Sequence, residues 1–164
     1  MINASCYSEV KSPLGVLTLT GNGEALTGLY MEAQKHRPAL PRHCVRDDTC
    51  FASVREQLAA YFAGELRSFD VPLAGSGTDF QQRVWQALRD IPYGVTESYG
   101  ALAARIGKPA ASRAVGMANG RNPIGIIVPC HRVLGVSGAL TGYGGGLARK
   151  QWLLAHEQAM AGLF

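Results

Sequence analysis

Ile124-Gly125-Ile126-Ile127-Val128-Pro129-Cys130-His131-Arg132-Val133 runs from an apolar stretch straight into a thiol, an imidazole and a guanidinium. The apolar part, Ile124 to Val128, reads as a buried strand that would hold Cys130 and His131 rigidly. A thiol attacks only as its thiolate, and an adjacent imidazole can take the proton and stabilise the anion. A bare Cys-His pair is more often an inert buried cysteine beside an incidental histidine. The surroundings of this pair therefore carry the argument.

Downstream, Thr141-Gly142-Tyr143-Gly144-Gly145-Gly146 forms a loop, and a final helix is expected over about Leu147 to Gln158. Upstream, Ala110 to Asn119 suits a short helix. Gly107-Lys108-Pro109 is a turn before it, and Ser98 is placed to cap a helix through Ile106. Two short helices about a glycine-containing turn suggest helix-turn-helix. Thr78-Asp79-Phe80-Gln81 has the form of a capping box, opening a helix whose apolar stripe is Phe80, Val84, Leu88 and Ile91. Pro92 ends that helix. Ala74-Gly75-Ser76-Gly77 reads as a linker.

The N-terminal part has another character. Residues 1–32 read as strands, with Gly21-Asn22-Gly23 as a turn between two β-rich runs. Residues 33–48 carry two prolines, mixed charge and no period, and read as a loop. Phe51, Val54, Leu58 and Phe62 recur at helical spacing, and Gly64 supplies a stop.

The 164 residues suit one ordinary domain or two small ones, and 47% hydrophobic with 17% charged content describes a soluble globular chain. No apolar run approaches a membrane span and no signal-peptide pattern opens the chain, so a cytoplasmic location and no membrane partner are expected. Cys6, Cys44, Cys50 and Cys130 are expected as free thiols. The net charge of +4 is uneven. Residues 1–79 hold seven Lys/Arg against nine Asp/Glu, whereas residues 80–164 hold nine against three. A basic half that carries the thiol favours a polyanionic partner, nucleic acid before membrane.

Four segments of that half act together: Ser98-Tyr99-Gly100, Ser112-Arg113-Ala114-Val115-Gly116 with Asn119 to Pro123, Pro129-Cys130-His131-Arg132, and Thr141 to Gly146 followed by Leu153 to Glu157. Joined to Phe80-Gln81 and Ile91-Pro92-Tyr93-Gly94, they closely resemble the O6-alkylguanine-DNA alkyltransferases, also called methylated-DNA–protein-cysteine methyltransferases. The resemblance is dense over residues 78–158 and looser before them, mainly at Tyr61-Phe62-Ala63-Gly64.

The resemblance implies an α+β protein: an N-terminal ribonuclease H-like α/β domain over 1–75, then a mostly helical, winged helix-turn-helix-like domain over 76–164 that carries the cysteine. It implies transfer of the alkyl group from O6-alkylguanine, and from O4-alkylthymine, in DNA to Cys130. The transfer is irreversible, needs no cofactor, and occurs once per molecule. His131 would draw the thiol proton, and Glu157 would orient the imidazole. Tyr99 would crowd the backbone phosphate and give a proton to the leaving guanine at N3. Arg113 would fill the space left by the flipped base, on a helix entering the minor groove of double-stranded DNA. The small residues Ala114, Gly116 and Ala118 suit close approach there, and a degenerate groove suits a protein that ignores sequence. Asn122 matches a hinge that ties this helix to the segment bearing the thiol. Val133, Tyr143, Gly144 and Gly145 match the pocket for the base. A monomer is expected.

Some members of the family hold zinc in the N-terminal domain. Cys6, His36, His43, Cys44 and Cys50 supply suitable atoms here, but no Cys-x-x-Cys or His-x-x-x-His spacing is present, so no metal is expected. Two other readings compete. A protein that recognises alkylated bases without chemistry would lack the reactive cysteine, which Cys130 argues against. A cysteine hydrolase would have no need of a basic helix-turn-helix.

Overall fold

A computed structural model describes residues 4–161 of the chain. The chain divides into two compact units, Met1–Ser76 and Gly77–Phe164.

In the first unit, β1 (Cys6–Ser12), β2 (Gly15–Gly21) and β3 (Leu26–Met31) form an antiparallel meander. The turn after β2 is closed by Asn22, whose side chain accepts from the amides of Glu24 and Ala25. Residues 33–48, expected as loop throughout, contain β4 (Val45–Arg46), which pairs parallel with the start of β1. Two residues are too few for a period to show. The sheet order is β3-β2-β1-β4. Helix α1 (Ala52–Phe62) contributes Val54, Leu58 and Tyr61 to a core shared with Leu17, Leu19, Leu29 and Met31. Tyr61 is fully buried, whereas Phe62, the residue expected on the stripe, is half-buried. The helix ends as Gly64 predicts. Gly64 takes φ +78°, its amide donates to the Tyr61 carbonyl, and that of Glu65 donates to Ala60, a Schellman pattern.

The second unit opens with α2 (Asp79–Arg89), started by a complete capping box between Thr78 and Gln81. Val84, Trp85 and Leu88 are buried, followed by Ile91, while Phe80 is only half-buried. The Trp85 indole donates to the Ala118 carbonyl at 2.8 Å, which ties α2 to α4. A two-residue strand, β5 (Glu97–Ser98), leads into α3 (Tyr99–Arg105), whose first turn is capped by the Ser98 hydroxyl. Gly107 (φ +80°) makes the turn, a short 3-10 segment covers Pro109–Ala111, and α4 (Ser112–Gly120) follows. This is the expected helix-turn-helix. β6 (Val133–Leu134) pairs parallel with β5, and α5 (Leu147–Ala161) closes the unit.

One expectation is corrected. Ile124 to Val128 is buried but is not a strand. The Ile127 amide donates to Gly125 at 2.8 Å, that of Val128 donates to Ile124 at 3.0 Å, and Ile126 adopts φ +70°. A β-branched residue in the left-handed region is strained and persists only where packing fixes it. The segment belongs to neither of the two sheets formed by the described strands. Asn122 takes the part of a partner strand: its side chain accepts from the Ile124 amide (3.0 Å) and donates to the Val128 carbonyl (2.8 Å), closing the coil across both ends.

Candidate active site

Cys130 begins a 3-10 turn, Cys130–Arg132, that is buried along its whole length. The coil closed by Asn122 delivers it there. Burial pushes the Cys130 thiol up, while a hydrogen bond with Asn122 and the positive charge of Lys150 pull it down without reversing the shift. The resting group is therefore a protonated thiol that needs a base.

His131 supplies one. Its ring is fully buried, and Nε2 lies 2.7 Å from Glu157 Oε2. Arg132 donates to both oxygens of the same carboxylate, from Nε at 2.8 Å and Nη2 at 3.0 Å, and from Nη1 to the Ile91 carbonyl at 2.7 Å. Burial alone would raise the Glu157 carboxyl, but His131 and Arg132 outweigh it and hold it well below the usual carboxylate range. Glu157 is thus an ionised, pure acceptor, so the imidazole proton must sit on Nε2. Burial lowers the His131 pKa despite Glu157, and the ring is neutral at pH 7. Nδ1 then carries a free lone pair. It is buried, and no protein group bonds to it. Glu157 lies on α5, and its neighbour His156 stacks on Trp152 at 4.9 Å.

Lys150, passed over in the sequence, stands in the same site. It is fully buried, and its ammonium donates to the carbonyls of Val133 (2.5 Å) and Thr141 (2.8 Å). It also lies 5.9 Å from the centre of the Tyr99 ring. Burial lowers its pKa to about 8 against a smaller opposing pull from Cys130. The signal was a lysine at helical spacing from Leu153 and Glu157, on the face of α5 that packs inward. Between about pH 8 and the ordinary 10.5, the unfolded chain holds a proton that the folded chain has released. Stability therefore rises with pH in that window. Lys150→Met is expected to lack this rise, which urea unfolding of both proteins at several pH values would measure. It should also slow alkylation of Cys130, since it removes a positive charge that favours the forming thiolate.

Tyr99 opens α3 and is half-buried; its hydroxyl donates to the Thr141 carbonyl at 3.2 Å. Burial raises its pKa. Gly142 takes φ +61°, and a Cβ there would sit 3.1 Å from the Tyr99 oxygen, so the loop can approach the phenol only as glycine. Tyr143 is buried and Gly144 and Gly145 half-buried in that loop. Val133 is fully buried, and its carbonyl, engaged by Lys150, keeps one lone pair for another donor.

Helix α4 has two faces. Val115, Ala118 and Asn119 are buried; Arg113, Ala114 and Met117 are exposed, with Gly116 half-buried between them. Ala118 therefore does not share the outer face with Ala114 and Gly116, because the helical period turns it toward Trp85. Met117, 73% exposed, takes its place on the outer face. Among the described residues, no group of three His, Cys, Asp or Glu is arranged to hold a metal ion. No described helix is long and apolar enough to cross a membrane.

Fold and site together define a cysteine-nucleophile protein whose reactive turn is built into a helix-turn-helix unit. Two family models match the chain: 6-O-methylguanine DNA methyltransferase, ribonuclease-like domain, over residues 6–74, and its DNA binding domain over residues 79–159. A methylated-DNA–protein-cysteine methyltransferase of Mycobacterium tuberculosis is 57% identical over 94% of this chain and 93% of its own length. One from Methanosarcina acetivorans is 52% identical over 92% and 97%. The crystal structure of Mycobacterium tuberculosis OGT in complex with DNA superposes with TM-score 0.91 at 57% identity, covering 94% of each chain. The chain belongs to the 6-O-methylguanine DNA methyltransferase family.

Proposed function

We propose that this protein repairs alkylated DNA by direct reversal, moving the alkyl group of O6-alkylguanine, and of O4-alkylthymine, onto Cys130. The observation that carries this reading is the state of His131. Glu157 spends its Nε2 proton, and the unpartnered Nδ1 is a buried base one residue from the thiol. The thiol proton passes to Nδ1, through a water where the direct path is too long. Cys130 Sγ attacks the alkyl carbon; the C–S bond forms as the bond from carbon to O6 breaks, and its electron pair stays on the base. Tyr99 gives that base a proton at N3. The thioether product is a poor leaving group, so each molecule acts once.

The pocket for the base lies among Asn122, Val133, Tyr143, Gly144 and Gly145. Asn122 has a second part, linking α4 to the reactive turn. The outer face of α4, with Arg113, Ala114 and Gly116, enters the minor groove, and Ala118 supports it from the inner side. Residues 1–75 form the N-terminal domain and 76–164 the DNA-binding and alkyl-acceptor domain. The protein acts as a monomer in the cytoplasm, without cofactor or metal.

Intact mass after mixing with a duplex containing one O6-methylguanine tests the reaction. One added methyl per protein, mapped to Cys130, is expected; unmodified protein that still binds the duplex would reject transfer in favour of recognition alone. Arg113→Ala should react with the free modified base as before but repair the duplex about tenfold or more slowly, because nothing then holds the flipped state open. Equal rates on duplex and free base would remove Arg113 from that part.

A further inference from the structure

The outer face of α4 carries one side chain that the proposed reaction leaves unused. Met117 is 73% exposed, and no other described large apolar side chain on a helix of this unit is as open; Leu147, at the start of α5, reaches 50%. Met117 stands four residues after Arg113 and four before Arg121, so the three share one helical face. Arg121 is the C-cap residue, its amide still bonded to the Ala118 carbonyl at 3.2 Å. Both arginines are exposed, and among the described residues neither guanidinium has a hydrogen bond or ion pair with another protein group. The helix holds no acidic residue. An apolar side chain is thus bracketed by two unpaired cations.

That arrangement has a definite complement. The two guanidiniums attract anionic phosphates, whereas the methionine between them is stabilised only against apolar surface such as base faces and sugar edges. A duplex offers both within one groove. Methionine is among the side chains that minor-groove proteins insert between base pairs, and its unbranched thioether adapts to an irregular gap. Four residues of helix advance about 6 Å, and stacked base pairs repeat at about 3.4 Å. With Arg113 in the space left by the flipped base, Met117 therefore reaches a neighbouring base step. The helix is also fixed from behind. The Trp85 indole bonds to the Ala118 carbonyl at 2.8 Å, and Asn119 Nδ2 donates to that of Cys130 at 3.3 Å. A side chain on its outer face is thus held against the stack rather than pushed aside.

We propose that Met117 is an apolar wedge for duplex DNA, entering the minor groove beside Arg113 and unstacking the neighbouring base step. The inference rests on the reading that the outer face of α4 enters that groove. Flipping a base requires the loss of its stacking. Arg113 fills the gap after the base has left, whereas Met117 acts on the stack that resists its leaving. The methionine is buried against the opened step only in the flipped state. It therefore shifts the equilibrium toward that state and raises the transfer rate, rather than the affinity alone. An apolar wedge offers no hydrogen bond and reads no base identity; it responds instead to how easily the step deforms.

The test is single-turnover transfer, at saturating protein, from O6-methylguanine in a duplex and in the same strand unpaired. Met117→Ala and Met117→Gln should each slow duplex transfer about 5- to 30-fold, the range that burial of a methionine side chain supports. Each should keep the single-strand rate within about twofold, because no paired stack has to open there. Met117→Leu, which restores the apolar volume, should stay within about threefold on the duplex. The position is exposed and all three replacements favour helix, so the variants should melt as the unaltered protein does. In the Cys130→Ala background, where the lesion persists, 2-aminopurine placed beside it reports unstacking by its fluorescence. That signal should be lost with Met117→Ala and Met117→Gln and kept with Met117→Leu. A full duplex rate for Met117→Ala would overturn the inference. So would a glutamine variant as fast as the leucine variant, equal slowing on duplex and single strand, or an unstacking signal unchanged by Met117→Ala. If Arg113→Ala also transfers from the duplex at the full rate, the reading of the whole outer face fails and takes the wedge with it. A slow Arg113→Ala beside a normal Met117→Ala removes the wedge alone.

Discussion

Cys130→Ala is expected to abolish alkyl transfer completely while leaving binding to DNA within about twofold of the unaltered protein. No neighbouring group can substitute as acceptor. Cys6, Cys44 and Cys50 all belong to the first unit, and His131 Nδ1 is a base whose ring is pinned by Glu157 rather than free to reach a substrate carbon. Binding should survive because the exposed groups of α4 lie apart from the buried turn. Removing one sulfur from a 6% exposed site costs on the order of 1 kcal/mol in packing. Mobility shift with a lesion-bearing duplex and intact mass on the same sample read both properties. Loss of binding in parallel with transfer would mean that the thiol shapes the turn rather than reacting from it.

Glu157→Gln should be the most damaging change that keeps side-chain size. Its carboxylate receives a hydrogen bond from His131 and two from Arg132, among other interactions, at a site 1% exposed. The amide cannot neutralise Arg132, and breaking a buried ion pair from one side costs about 3–5 kcal/mol. Its NH2 group would also face donors. With the amide nitrogen turned toward His131, the imidazole relieves the clash by moving its proton to Nδ1, the nitrogen needed as a base. The transfer rate should fall by about three to four orders of magnitude, the loss seen when a triad carboxylate is replaced by its amide. Denaturant midpoints and single-turnover rates separate the two effects.

The pH response follows from the depressed carboxyl. Its contribution is fully present above the ordinary value of 4.5 and is lost as pH falls below it toward the lower folded value. The part of the stability gap between the unaltered protein and Glu157→Gln that comes from this carboxyl should therefore narrow as pH falls below about 4.5. A gap unchanged down to pH 3 would show that Glu157 is not ionised in the fold.

Local signals proved readable where one segment contains its own reason. Thr78 with Gln81, Ser98 before α3 and Gly64 after α1 are each satisfied by backbone groups within a few residues, so the sequence displays the whole interaction. The 124–128 run failed the same approach. Its apolarity required burial, but whether a buried run is a strand depends on a partner strand that the segment does not encode. Lys150 and Asn119 were missed for a related reason. Lysine and asparagine ordinarily mark exposed positions, and their burial makes sense only beside carbonyls brought in from Val133, Thr141 and Cys130.

The sequence by itself determined the two-part organisation, the helix-turn-helix and the Cys130-His131 pair, because these rest on periodicity, capping and residues adjacent in short stretches of chain, and the family through the resemblance those stretches carry. Tertiary structure alone decided the chemical state of the site. A carboxylate 26 residues from His131 fixes the imidazole tautomer, and a lysine 20 residues from Cys130 places a cation near the thiol. Protonation depends on distance and burial in space, and neither is written in the order of the residues.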